Sequence, residues 1–510
     1  MAREEPAFEE VPPDPSAMIE SMRAYGYTLS TAVADLIDNS IAANASHVWI
    51  RHHWAGADSW IAIADDGDGM DEVDLRNAMR LGSRSPLEKR DREDLGRFGL
   101  GVKTASLSQC RRLTVRSTRD DGEAWTRRWD LDYLANNQAG GWRLLTTCAP
   151  GSEERLSAPE ESGSGTVVLW ELLDRLVGDA GKDNKKVHDH FLRLIDDLEA
   201  HLAMVFHRFL ASGGRRLSIQ LNDVAIRPWD PFVENHGATT KTPEEVITVP
   251  GFRDPVRVRG FVLPHKDRLG DKEHRAASGP AGWNAQQGFY LYRNERLIVA
   301  GSWLGLGGAR PWTQEEHYKL CRIRLDVPNS MDHLWQLDVK KSSAVPPPVV
   351  ADRLTGLAQK VRTDARAVFA HRGSYGKRTD RREYAKPWKA TTRSGVRTYR
   401  IDRSHPLIKA VADVVSDVAK EEFEAALRII EETVPVEQIW LDKAEAPEDF
   451  AAPFHGSTSR QLRHLIELAY RAIRRNRGTD HADTVRLLSE SVEFAGSEAQ
   501  AILASLEDPS

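Results

Sequence analysis

An apolar run that stops on an acid and two glycines limits what this chain can build more than any other feature. Ser59-Trp60-Ile61-Ala62-Ile63-Ala64 leads straight into Asp65-Asp66-Gly67-Asp68-Gly69-Met70. The run predicts a buried strand that ends in a glycine turn. Asp65 is thereby placed at a strand end, where the glycines let backbone pass close to a neighbour. A calcium loop of the EF-hand kind needs further oxygen ligands and a late Glu at set spacing, which this stretch does not supply.

Upstream, Leu29, Ala32, Val33, Leu36 and Ile37 recur at helical spacing, and Ser30-Thr31 offers a start signal. Within that helix, Asp35-Leu36-Ile37-Asp38-Asn39 puts Asp35 and Asn39 at i and i+4, on one face. A carboxylate there can orient a water, and an amide oxygen can ligate Mg²⁺, which takes a few hard oxygens beside substrate phosphates. Downstream, Gly96-Arg97-Phe98-Gly99-Leu100-Gly101 has the reverse of the dinucleotide glycine spacing and follows a charged loop rather than a strand. It fails the Walker pattern too. Val102-Lys103-Thr104-Ala105-Ser106-Leu107 then reads as a helix start, where free N–H groups favour phosphate and Lys103 adds a charge. Residues 81–95, polar and poor in apolar groups, suit a lid. Gly163-Ser164-Gly165-Thr166 precedes a fourth signal, the strand-like Val167-Val168-Leu169-Trp170.

In this order, the motifs resemble the GHKL ATPases: type II topoisomerase ATPase subunits, ninety-kilodalton heat-shock chaperones, histidine kinases, MutL and MORC. The resemblance implies an α+β chain whose Bergerat-fold ATPase domain, an α/β sandwich, binds ATP and Mg²⁺. By family analogy Asp65 accepts a hydrogen bond from the adenine amino group, Gly67 and Gly69 lie against the base, Met70 lines the ring, and Thr166 helps fix the adenine site. Gly96, Arg97, Phe98, Gly99, Leu100, Gly101, Val102, Lys103 and Thr104 are expected around the phosphates. Asn39 takes the metal. Asp35 is the expected catalytic group, with one departure: most relatives carry Glu there, so hydrolysis is slow or the helix sits closer to the γ-phosphate. Tyr25-Gly26-Tyr27-Thr28-Leu29 and the sequences around Asn39 and Gly101 look most like the prokaryotic MORC-like ATPases, associated with restriction and phage defence. A histidine kinase is not expected, because little chain precedes Asn39 to hold a phosphoacceptor helix pair.

With 510 residues, two or three domains are expected. The boundaries read as 1–173 for the ATP-binding domain, 174–348 for a second α/β domain, 349–404 for a helix and basic linker, and 405–510 for a mainly helical C-terminal region. The strand, turn and strand over residues 287–298 resemble the transducer domain of MutL and MORC proteins, where a lysine reaches the γ-phosphate. Lys340 or Lys341 is placed to be that catalytic lysine. Residues 372–403 hold eleven Lys and Arg against three acids, with Tyr375, Tyr384, Trp388 and Tyr399 interspersed, a pattern that suits DNA contact as well as a solvated linker. Val411, Val414, Val415 and Val418, then Leu462, Leu465, Ile466 and Leu468, suggest a helical bundle or a partner surface.

The net charge of −6 excludes a generally basic nucleic-acid coat. Cys110, Cys148 and Cys321 have no paired spacing, so neither a disulfide framework nor a zinc cluster is indicated. The start lacks an apolar signal core and no run reaches transmembrane length, so a cytoplasmic protein without membrane contact is expected. The expected partners are ATP, a second copy of the chain on ATP binding, DNA and a protein effector. Two functions stay open: an ATP-gated dimeric clamp working on DNA or with DNA-processing partners, and a chaperone or slow-hydrolysing module that recruits an effector through its tail.

Overall fold

Seven strands form the sheet on which the first core is built: β1 His47–His53, β2 Trp60–Asp65, β3 Arg112–Thr118, β4 Ala124–Asp130, β5 Gly165–Glu171, β6 Ser218–Leu221 and β7 Val224–Ala225. The computed structural model describes residues 13–24, 26–81, 101–136, 141–157, 163–211, 217–308, 310–336, 344–370, 387–393, 396–436, 438–439, 458–489, 491, 494 and 496–508. The strand order is β4-β3-β5-β2-β1-β6-β7. Register follows side-chain alternation: Ile63 pairs with Val168, and Val168 with Val115, so all three point to one face.

That face is covered by helices. They are α1 Pro15–Arg23, α2 Leu29–Ala42, α3 Glu72–Met79, α4 Gly101–Leu107, α5 Leu131–Ala135, α6 Lys185–Val205 and α7 His207–Leu210. Val33, Leu36 and Ile37 of α2 and Phe191, Ile195, Leu198 and Leu202 of α6 complete the core with Ile61, Ile63, Leu113 and Trp170. Each fully buried aliphatic side chain contributes about 1.5–3 kcal/mol, which more than offsets the weak helix propensity of the Val, Thr and Ile in α2. The helix opens two residues before the expected start signal, because Thr28 caps it. Thr31 N donates to Thr28 Oγ1 at 3.2 Å and Thr28 N to Thr31 Oγ1 at 3.1 Å. On α6 Phe191 is buried, while its neighbour Leu192 is 41% exposed.

β6 lies parallel beside β1, and the chain reaches it from β5 through α6 and α7. The first core therefore runs through Ile226, well past residue 173, where the sequence suggested a boundary.

A second sheet follows: β8 Thr240–Lys241, β9 Glu245–Ile247, β10 Val256–Val262, β11 Gly288–Arg293, β12 Arg296–Ser302 and β13 Cys321–Asp326. Its order is β12-β11-β13-β10-β8, with β9 also on β10. β11 and β12 form the expected hairpin. Its two turn residues, Asn294 and Glu295, have φ of 45° and 67°, the tight-turn geometry whose twist matches the strands. Short helices α8 Asp271–Ser278 and α9 Gly282–Ala285 precede it, and α10 Pro348–Ala370 packs Leu354, Ala358, Val361 and Ala365 on the sheet. A Cβ on Gly260 would lie 2.2 Å from Val361 Cγ2, so that glycine sets how closely α10 approaches.

The chain divides into two compact units, residues 1–369 and 370–510. In the second, β14 Trp388–Arg393 pairs with β15 Val396–Ile401, followed by α11 Pro406–Ala412, α12 Asp417–Thr433, α13 Ser459–Arg477, α14 His481–Ser489 and α15 Ser497–Ala504. Leu462, Ile466, Tyr470 and Ile473 of α13 pack with Leu487, Leu488, Ile502 and Leu503, the expected bundle. Val414 and Leu468 stay exposed. The basic stretch, expected to be irregular, is an antiparallel hairpin where it is described. Among the described residues no helix is long and apolar enough to cross a membrane.

Candidate nucleotide site

Asp65 is the last residue of β2, hydrogen-bonded between β1 and β5, and its side chain is 8% exposed. Oδ1 accepts from Gly67 N at 3.1 Å and Thr166 N at 3.2 Å, and Oδ2 accepts from Ser40 Oγ at 2.7 Å. Burial pushes its pKa up, and the bonds from Ser40, Gly67 and Thr166 oppose that shift. An ionised carboxylate offers about four acceptor positions. Three are taken by the protein, which leaves capacity on Oδ2 for one more N–H donor.

Two of the surrounding glycines are required by space and conformation together. Gly69 has φ +66° and a Cβ there would lie 1.9 Å from Thr118 O; Gly165 has φ +147° and a Cβ would lie 2.0 Å from Asp65 O. These positions let the turn after β2, the end of β3 and the start of β5 meet. Serines then pin the contact. Met70 N donates to Ser117 Oγ at 2.8 Å, Ser117 and Thr166 hydroxyls are 2.8 Å apart, and Ser164 Oγ donates to Gly67 O at 2.8 Å. Met70 lies half-buried against the first core. The other two acids of the turn are structural. Asp66 Oδ1 accepts the backbone N–H of Ser46 at 2.8 Å and His47 at 2.7 Å, and Asp68 Oδ2 accepts from Asn44 Nδ2 at 2.8 Å.

α2 carries the other half. Asp35 is buried and its Oδ2 accepts from Tyr27 Oη at 3.0 Å. Asn39, exposed on an otherwise buried helix, donates Nδ2 to Asp35 O at 2.9 Å, which commits the amide nitrogen inward and leaves the amide oxygen as its ligating atom. That donor fits Mg²⁺, which binds through few protein oxygens beside substrate phosphates. Among the described residues no group of three or more His, Cys, Asp or Glu could hold a metal by itself. Asp38, between the two, pairs with Arg296 at 3.1 Å.

The expected phosphate segment is described only from Gly101 onward; Gly96, Arg97, Phe98, Gly99 and Leu100 lie outside the described residues, as do Lys340 and Lys341 and most of the expected lid. α4 begins where expected, with Thr104 buried. Lys103, expected to add a phosphate charge, is instead 2% exposed, donates to Arg80 O at 2.8 Å and is pushed down to about 8 by burial.

Sequence reasoning brought Asp35, Asn39, Asp65, Gly67, Gly69, Met70 and Thr166 into view. It missed the roles of Tyr27, Ser40, Ser117 and Ser164. Ser40 follows Asn39 directly, but its bond to a residue 25 positions away has no local signature.

Residues 27–166 match the family described as histidine kinase-, DNA gyrase B-, and HSP90-like ATPase. A stretch of 100 residues, 19% of this chain, is 36% identical to the DNA mismatch repair protein MutL of Rhodopseudomonas palustris (strain HaA2), of whose length it spans 16%. The matched family segment opens on Tyr27, which holds Asp35, and closes on Thr166, which holds Asp65. Residues 27–166 are a GHKL-type ATPase domain.

Proposed function

We propose that this chain binds ATP with Mg²⁺ between α2, the turn after β2 and α4, hydrolyses it slowly, and dimerises on the nucleotide to work on DNA or with DNA-processing partners. The observation that carries the reading is the carboxylate of Asp65, buried, fixed by three donors and left with acceptor capacity for an adenine amino group. Gly67, Gly69, Met70 and Thr166 shape the base site. Asn39 would hold Mg²⁺ through its amide oxygen, and the ion would supply charge neutralisation at the phosphates. Asp35 orients the attacking water. Its shorter side chain than the usual Glu is held by Tyr27, which fixes the carboxylate but does not lengthen its reach, and this supports slow turnover. Gly101, Val102 and Thr104 remain the phosphate-side candidates among the described residues, with Lys340 or Lys341 as the second-domain lysine.

The DNA part rests on the MutL likeness and on the basic stretch at residues 372–403. A MORC-like setting in restriction or phage defence is the finer proposal. A second reading, a nucleotide-dependent module that recruits an effector, is favoured by the ion pairs that Lys389, Arg400 and Arg403 make with acids of their own unit.

Calorimetry with a non-hydrolysable ATP analogue tests the site. Asp65→Asn should weaken binding by about 1.5–3 kcal/mol, the loss of a charge-assisted acceptor. Equal affinity would remove Asp65 from the pocket. Steady-state turnover with and without duplex DNA separates the two readings: stimulation supports the clamp, and DNA-independent trace turnover supports the recruiting module. Sedimentation with the analogue should raise the dimer fraction, and a chain that stays monomeric at saturation overturns the dimeric clamp.

A further inference from the structure

The ion pair between Asp38 and Arg296 joins residues 258 positions apart and lies at the junction of the two sheets of the first unit. Arg296 opens β12 directly after the Asn294-Glu295 turn; Asp38 sits on α2, three residues after Asp35 and one before Asn39. Their side chains are 6% and 2% exposed. Among the described residues, the other ion pairs that connect the two sheets' segments belong to Arg208, whose partners Glu295 and Asp326 are 63% and 30% exposed. Arg296–Asp38 is therefore the pair in which water screens neither charge, and a buried charge of this kind strongly resists separation from its partner.

The cation is held from several sides. Arg296 Nε donates to Asp38 Oδ1 at 3.1 Å, Nη1 donates to Leu297 O, and the guanidinium lies 5.3 Å from the Phe206 ring centroid. His201 of α6 faces the same pair; burial first, and Arg296 next, push its pKa down to about 4, so it is neutral at physiological pH. The anion is fixed to α2, most of whose residues are buried and whose backbone hydrogen bonds tie each residue to the turn before it. Displacing Asp38 would displace Asp35 and Asn39 with it.

We propose that Arg296 is a positioning residue for the nucleotide site: through Asp38 it sets the placement of α2, and so of Asp35 relative to the phosphate-bound water. The inference rests on the ATP-hydrolysing reading of the site. The adenine side depends on it less, because two of the three donors that fix Asp65 are backbone N–H groups of Gly67 and Thr166 rather than atoms of α2. A change at Arg296 should therefore separate turnover from affinity.

The test uses the full chain. Arg296→Gln should lower kcat by about tenfold or more, since a misplacement near 1 Å costs up to about a hundredfold, while analogue affinity measured without Mg²⁺, which does not depend on Asn39, moves by less than about threefold. Arg296→Lys, which keeps the charge but not the second hydrogen bond to Leu297 O, should recover part of the lost kcat. Should Arg296→Gln fail to fold, the neutral pair Asp38→Asn with Arg296→Gln removes the uncompensated charge and should fold while keeping the kcat loss. Hydrogen exchange of the α2 amides is a readout independent of ATP: it should quicken in Arg296→Gln and not in Arg296→Lys. Wild-type kcat and wild-type α2 exchange in Arg296→Gln would overturn the proposal, as would equal losses in kcat and affinity. A wild-type chain that binds no ATP would defeat the functional reading alone, with the exchange result still deciding whether Arg296 places α2.

Discussion

The nucleotide site and the basic hairpin of the second unit both stand out in the sequence as charge, and the structure treats them in opposite ways. Asp65 is an acid withdrawn from water and held by donors from α2, the glycine turn and β5, none of them cationic. Among the described side chains of this region, three bases are matched by acids of the same unit: Lys389 with Asp402 at 2.8 Å, Arg400 with Glu432 at 2.7 Å, and Arg403 with Glu424 at 3.0 Å and with Glu431. The bases keep their heads in water and find nearby counter-charges, and the pairs exposed on both sides, Arg400–Glu432 and Arg403–Glu424, contribute about 0–1 kcal/mol each. A buried carboxylate needs dedicated geometry, and that geometry leaves a definite acceptor for a ligand. Burial makes the difference, more than the number of charges.

The comparison is tested most severely by Asp35→Asn. Turnover should fall by about 10²–10⁴-fold with analogue affinity kept, as expected for removal of a base. If turnover survives, the base is another residue.

Next in size is Gly165→Ala, where the new Cβ would meet Asp65 O at 2.0 Å in a backbone conformation that disfavours it. A loss of about 2–4 kcal/mol in unfolding free energy is expected. Gly122→Ala is the control, because nothing lies within 4 Å of its Cβ. Similar losses at both positions would show that backbone conformation, and not the close approach at Asp65, decides.

Burial also predicts a pH response that the hairpin should lack. His207 donates or accepts at Tyr292 Oη over 2.8 Å, and burial pushes its pKa down to about 3. Between that value and about 6.5 the unfolded chain binds a proton that the native chain does not, so stability falls as pH drops through this window and is unaffected by this group above it. The slope is about 1.4 kcal/mol per pH unit, and His207→Gln should remove it from melting curves taken between pH 6.5 and 4.5. An unchanged slope would mean that His207 is protonated in the native chain.

The smallest effect is expected in the hairpin. Arg400→Gln should change DNA affinity by less than about threefold, because its charge is already shared between Glu432 and Glu431. A larger loss of affinity, growing at low salt, would show that these bases contact phosphate and would erase the contrast with Asp65.

Much of the site was legible in the sequence because its parts are local. A helical period places Asp35 and Asn39 on one face, and an apolar run ending in Asp-x-Gly-x-Gly places Asp65 at a strand end; both follow from backbone geometry over a few residues. The β11–β12 hairpin and the α13 stripe were equally readable. The contact that Lys103 makes was not legible: the sequence shows a lysine beside a helix start, and only packing shows that its ammonium donates to Arg80 O.

By itself, then, the sequence determined the helix and the strand that carry Asp35, Asn39 and Asp65, and left the β14–β15 pairing unread. Tertiary structure decided the partners: Ser40 and Thr166 for Asp65, Tyr27 for Asp35, Arg296 for Asp38, and Glu432 for Arg400. It also decided that β6 and β7 extend the first sheet and that α6 packs in its core. Local propensity and period are set by each residue's own backbone and nearest neighbours. Which of several compatible donors meets a buried acid depends on how whole elements pack, and that has no period for a sequence to display.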